Sequence, residues 1–157
     1  MGHFGFSYVG LAYLAMLFIP NAIWAKNKPE GYDPSGESKW LLVLERVGQV
    51  CVTCCALVFK DFNLSPLSLW SLWLVASAAA MAAYEWFWVR YFRGPRTVHR
   101  FYQSLGGIPV PGATLPVAGF LFLGIYGKVI WMVLSITLLG IGHIGIHFQH
   151  RKKLRQT

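Results

Sequence analysis

The chain has 157 residues and a net charge of +8, yet 55% of it is apolar, 16% aromatic and only 13% charged. A soluble domain carries about 25% charged residues, so this chain has too few solvated side chains to coat a globule. That excludes an ordinary soluble enzyme, a disordered tail and a nucleic-acid-binding module, and predicts an all-α polytopic membrane helix bundle.

A helix needs about 20 apolar residues to cross about 30 Å of hydrocarbon. The first such run is Phe6–Ala25. Its leader, Met1-Gly2-His3, lacks Lys and Arg, and no small-x-small site follows before Lys26, so it is expected to be a span and not a cleaved signal. Lys26–Lys39 contains Pro29, Gly31, Pro34 and Gly36, which predicts a structured turn. Trp40–Phe59 and Leu67–Tyr91 are the second and third spans, and the basic loop Arg93–Gly107, with His99, follows them. The last apolar stretch is broken at Gly127-Lys128. A lysine costs about 2.5–3.5 kcal/mol at the bilayer centre and little at an interface. The stretch therefore divides into a fourth span, Val110–Tyr126, and a fifth, Val129–Phe148, with Pro109, Pro111 and Pro116 making the approach to the fourth irregular. No internal repeat is visible, and residues 1–157 read as a single integral membrane domain.

Charge tests this division. With five spans, eleven of the fourteen Lys and Arg residues fall on one side and only Lys60 and Lys128 on the other, with Arg46 inside a span. Merging the last two spans would put Lys128 inside a span and leave seven against five. Because basic residues are retained in the cytoplasm, the N-terminus is expected outside and the C-terminus inside. The excess positive charge is then a matter of topology and membrane lipids, with no need of nucleic acid. Trp24, Trp40, Trp86 and Trp88 near one interface and Trp70, Trp73 and Trp131 near the other form the expected aromatic belts.

Within the spans, polar groups gather at similar depth in the inner half: Asn21 on the first, Glu45, Arg46 and Gln49 on the second, Tyr84 and Glu85 on the third, His143 and His147 on the fifth. At 100° per residue, Glu45, Arg46, Gln49 and Thr53 share a sector of about 100°, and His143, His147 and His150 one of about 60°. Charged groups facing lipid are costly, so these stripes predict a cytoplasm-facing polar pocket lined by spans one, two, three and five. His150 is expected in the solvated headgroup zone. In this reading Glu45, Glu85, His143 and His147 are candidate acid/base groups, while Asn21, Arg46, Gln49, Tyr84 and His99 are candidate ligand contacts. His143 and His147 also have i,i+4 metal-ligand spacing, and Glu45 or Glu85 would be the third ligand of a divalent transition metal. The bland alternative is that the cluster only glues helices together. Cys51, Cys54 and Cys55 lie opposite the polar stripe, deep in a span, and read as small apolar residues. Ala76–Ala83 marks a face of close packing.

The segments Leu44-Glu45-Arg46-Val47-Gly48-Gln49 and Gly142-His143-Ile144-Gly145-Ile146-His147-Phe148-Gln149-His150, with Pro20-Asn21, resemble an uncharacterised group of small five-span bacterial integral membrane proteins. Arg96-Thr97 and the Gly112–Pro116 stretch are similar too. The resemblance implies this topology and a bacterial inner-membrane location, and no activity.

Three functions remain open. One is binding of an amphiphilic small molecule, with acid/base chemistry on it. The second is a small homo-oligomeric transporter or channel coupled through Glu85 or His143. The third is a purely structural role. Transporters bind near the midplane and show repeats, and neither feature is visible, which favours the first.

Overall fold

A computed structural model describes residues 2–156, leaving Met1 of the leader and Thr157 of the tail outside it. The described residues are all-helical, without strands: α1 (Tyr8–Lys26), α2 (Lys39–Val58), α3 (Leu72–Phe92), the short α4 (Val98–Phe101), α5 (Pro111–Tyr126) and α6 (Ile130–Leu154). Four of these, α1, α2, α3 and α6, are long and apolar enough to cross a membrane, while α5 is shorter.

The helix ends follow local chemistry. Ser7 caps α1 by accepting the Gly10 N–H at 2.9 Å, and Thr97 caps α4 through Arg100 N–H at 3.2 Å. α3 begins five residues later than expected, because Leu69–Ser71 forms a separate 3-10 turn. α6 runs past Phe148 to Leu154, and Arg151, Lys152 and Lys153 in its last turn complement the negative end of the helix dipole. The break at Gly127-Lys128 is real. Lys128 takes the left-handed conformation (φ 55°), and the Lys128 and Val129 N–H groups close back on the Ile125 and Gly124 carbonyls. Before α5, Gly106 and Gly107 (φ 55° and 86°) make the tight turn that returns Ile108 to Leu105.

Packing is sequential around the bundle: α2 lies on α6, α6 on α5 and α5 on α3, and α1 closes the group across α2 and α3. α5 is the most enclosed helix, with ten of its sixteen residues buried. Small residues permit this, since a Cβ at Gly119 would strike Met81 of α3 and one at Gly124 would strike Met132 of α6. The outward faces carry exposed Leu11, Ile19, Val43, Val47, Val50, Val75, Leu134 and Ile141, a coat suited to an apolar surrounding. In such a surrounding, close packing and interhelical hydrogen bonds hold the helices, because lipid tails are as apolar as the core.

The two ends of the bundle differ in charge. At one end the 27–38 loop, the 97–104 segment and the C-terminal turns of α6 meet, joined by Lys153 Nζ to Ser35 O at 2.6 Å and Arg151 to Ser104 Oγ at 2.9 Å. At the other, Lys60 and Lys128 line one cavity with Asp61, Asn63 and Tyr126. Arg151 and Lys153 thus lie at one end of the bundle, and Lys60 and Lys128 at the other.

Candidate functional site

The α2–α6 seam is built on two glycines. A Cβ at Gly142 would overlap the backbone of Leu41 and Glu45, and one at Gly48 would overlap the backbone of Leu139. With neither side chain in the way, the two helices approach backbone to backbone. Glu45 is thereby delivered to the residue next to Gly142, and His143 Nδ1 meets Glu45 Oε1 at 2.5 Å. Both side chains are about three-quarters covered, at 25% and 24% exposure. With its proton on Nδ1 the imidazole donates to the carboxylate, which leaves Nε2 as its second reactive position.

This pair borders a cavity of about 210 Å³. α1 contributes Leu17, Phe18 and Asn21, α2 contributes Glu45 and Gln49, α5 contributes Pro116, Val117 and Phe120, and α6 contributes Ile136, Leu139 and His143. The walls are apolar and the polar groups are few, the usual make-up of a small-molecule site. Its position follows from how α1 is held. Near one end α1 touches α2 closely, with Gly10 set against the Ala56 carbonyl. Towards the other end α1 leans on α3: Asn21 Nδ2 donates to Tyr84 OH at 2.6 Å and to Leu17 O at 2.7 Å. The cavity lies where α1 and α2 part, and partly exposed Phe18 and Gln49 stand at its edge. Tyr84 does not line it. Buried in α3, it fixes the Asn21 amide so that Oδ1 is the atom left to meet an occupant.

The expected lining is corrected in one helix. α5 stands between α3 and α6 and packs on both, so α3 and Glu85 stay off the cavity and α5 supplies a wall instead. Glu85 is half-buried, with Oε1 covered and without a hydrogen-bond partner. Arg46 is exposed on the outer face of α2 and not turned inward, because Gly48 and Glu45 commit the adjoining face to α6. His99 is exposed on α4 and lines a separate cavity of about 300 Å³ with Tyr102, Ser104 and Arg151. The cysteines join no site; Cys55 packs at the α2–α6 seam, with Sγ 3.8 Å from Ser135 Oγ.

The histidine stripe continues away from the cavity. The His143 and His147 rings lie 4.6 Å apart, and His147 sits against Phe101 (5.7 Å) and Tyr102 (5.5 Å). His150, expected in the solvated zone, is buried at 7% exposure. It lies between the Tyr32 and Tyr102 rings, stacked on both, and its Nε2 meets Glu37 Oε1 at 2.7 Å. The 27–38 loop folds back over α6 and covers it, an arrangement invisible to a helical wheel. Burial, and then the Glu37 and Glu45 carboxylates, push the Tyr32 hydroxyl up to about 12. Burial, with Tyr32 and Glu37 behind it, raises Tyr102 too. Among the described residues no three His, Cys, Asp or Glu side chains gather as a metal site would need. Glu45 reaches His143, but Glu85 comes to neither histidine as a third ligand.

No protein family, curated protein or solved structure matches the chain.

Proposed function

We propose that this protein crosses a bacterial inner membrane five times, with its C-terminus in the cytoplasm, and binds a small amphiphile in the cavity beside Glu45 and His143. The topology is supported by the gathering of the basic segments at one end of the bundle and by the turn at Lys128 between α5 and α6. The single observation that carries the binding reading is the cavity of about 210 Å³, apolar on most sides, with Asn21, Glu45, Gln49 and His143 converging on it. An engineered cavity of about 150 Å³ accepts benzene, so this one suits a group of that order or slightly larger. The apolar part of the ligand rests on Leu17, Val117, Phe120 and Leu139, and its polar end exchanges hydrogen bonds with Glu45 and His143. The parting of α1 and α2 at Phe18 and Gln49 gives lateral access from the bilayer. The His143–Glu45 pair is an acid/base couple placed at the polar end, so proton transfer to or from the bound molecule is the chemistry it equips. Beyond the cavity Gly10 closes on Ala56, which favours a pocket over a conduit.

A diazirine-bearing analogue of 1-octanol, photolysed with the protein in vesicles, tests this. Adducts are expected on the peptides carrying Leu17, Phe120 and Leu139, and are expected to disappear in Val117→Trp, which fills the cavity. Equal labelling of Val117→Trp and the parent protein would sink the reading.

A further inference from the structure

The cavity pair has no need of His147, which does not line the cavity. Nor does packing alone call for an imidazole between Phe101 and Tyr102, where a phenyl ring would fill the space. Beyond it stands a second histidine–carboxylate pair, His150 with Glu37, held by a loop far away in sequence. We infer that Glu45, His143, His147, His150 and Glu37 form a proton relay joining the cavity to the aqueous end of the bundle. This rests on the reading of the cavity as an acid/base site.

Direct contacts fix the two ends of the line, and helix spacing joins them. Glu45 Oε1 and His143 Nδ1 are in hydrogen-bond contact at 2.5 Å. The His143 and His147 ring centroids are 4.6 Å apart at 56°, which makes the two imidazoles direct neighbours. His147 and His150 lie one turn apart on the same helix face, where side chains are neighbours. Both lean on the Tyr102 ring, at 5.5 Å each. His150 Nε2 and Glu37 Oε1 complete the line at 2.7 Å. The charged groups at its mouth are of both signs: Asp33 on the loop, Arg151 held to Ser104, and Lys153 held to the Ser35 carbonyl. Tyr32 lies on the loop side, and its raised hydroxyl keeps its proton, so it confines the path without joining it.

Imidazole suits such a chain, because it takes a proton on one nitrogen and gives up the proton on the other. In the other tautomer, with the N–H on Nε2, His143 takes the proton of a protonated Glu45 at Nδ1 and releases its own from Nε2 to His147. His147 passes one to His150, and one leaves through the Glu37 carboxylate. Each transfer breaks one N–H or O–H bond and forms another, so only the net proton moves. His147 is the step that a purely structural role would leave dispensable.

The test is the rate at which the His143 ring N–H exchanges with water, read by saturation transfer on 15N-histidine-labelled protein in nanodiscs. His147→Phe keeps an aromatic ring in place and is expected to slow that exchange about tenfold or more, given what a positioned proton-transfer group contributes. The His143–Glu45 hydrogen bond should remain visible in the same spectrum. Glu37→Gln lies on the loop, spares the helices, and is expected to slow it less. Unchanged exchange in both variants overturns the relay, since the proton then arrives through the cavity mouth. Photolabelling by the octanol analogue separates the two ideas: if it persists in His147→Phe while exchange is unchanged, the relay fails and the binding reading stands. If the parent protein is never labelled but its exchange depends on His147, the binding reading fails and the relay stands.

Discussion

Histidine–carboxylate pairs occur in two regions of the bundle, and their surroundings differ. His3 and Asp61 meet at 2.7 Å, but His3 is 77% exposed, and the pair ties an extended leader to the turn after α2. His143 and Glu45 meet at a similar distance with both partners largely covered, beside a cavity and a second histidine. The bond is the same in each case. What differs is the surrounding dielectric and the next group in reach: water around the first pair, a cavity and a second histidine beside the other.

Four changes break or sharpen this contrast. Gly142→Val should have the largest effect. It drives side-chain atoms into the α2 backbone at Leu41 and Glu45, costs about 3 kcal/mol by overpacking, and abolishes photolabelling by parting Glu45 from His143; thermal unfolding in detergent measures it. Glu45→Gln keeps the shape but exchanges a charged acceptor for an amide. A loss of about 1–2 kcal/mol is expected, with a change in the His143 tautomer visible by 15N NMR. Tyr32→Ala removes one of the two rings that stack on His150 and should free the 27–38 loop at a cost of about 1 kcal/mol, seen as faster amide exchange at residues 32–37. His3→Ala should matter least, at about 0–1 kcal/mol, because the pair is exposed and the His3 backbone N–H still donates to Asp61 Oδ2 at 2.5 Å.

The pH dependence of the His3–Asp61 clasp has a definite sign. Burial acts to raise the Asp61 carboxyl, but the His3 side chain, backbone N–H and charge outweigh it, and the value falls below the usual 3.8. The native state therefore prefers the ionised form. The clasp contributes fully above that ordinary value and is lost as pH falls through the lower native one. Protease cleavage of the leader should be flat near neutrality and increase only under acid. An increase that already begins near neutrality would overturn this.

The helices were legible in the sequence because their cause is local. A run of apolar residues with polar stops sets a helix to within a few positions, as at Phe6–Ala25 against Tyr8–Lys26. The depth of the polar groups was legible for the same reason, and Asn21, Glu45, Gln49 and His143 do come together. What a helical wheel lacks is the partner of each face. Arg46 and Glu85 were expected in the pocket because their faces are polar, yet the neighbours of α2 and α3 are chosen by Gly48, Gly142 and Gly119. Those glycines were visible as small residues, but not as a statement of which helix meets which. α5 enters the cavity through Pro116, Val117 and Phe120, and none of these carries a polar signal. Glu37 and Tyr32 belong to a loop, and only the folded chain brings them to His150.

The brevity of α5 bears on how the protein is made. Sixteen residues rise about 24 Å, short of the hydrocarbon thickness of about 30 Å, and Pro116 further loosens the helix. Such a segment is poorly retained alone, whereas α6, joined to it by only Gly127, Lys128 and Val129, is long enough to anchor both. If the five-span proposal holds, biogenesis should insert the two as a hairpin, with α5 held at the translocon until α6 has emerged from the ribosome, and a nascent chain stopped after Tyr126 should remain accessible to protease.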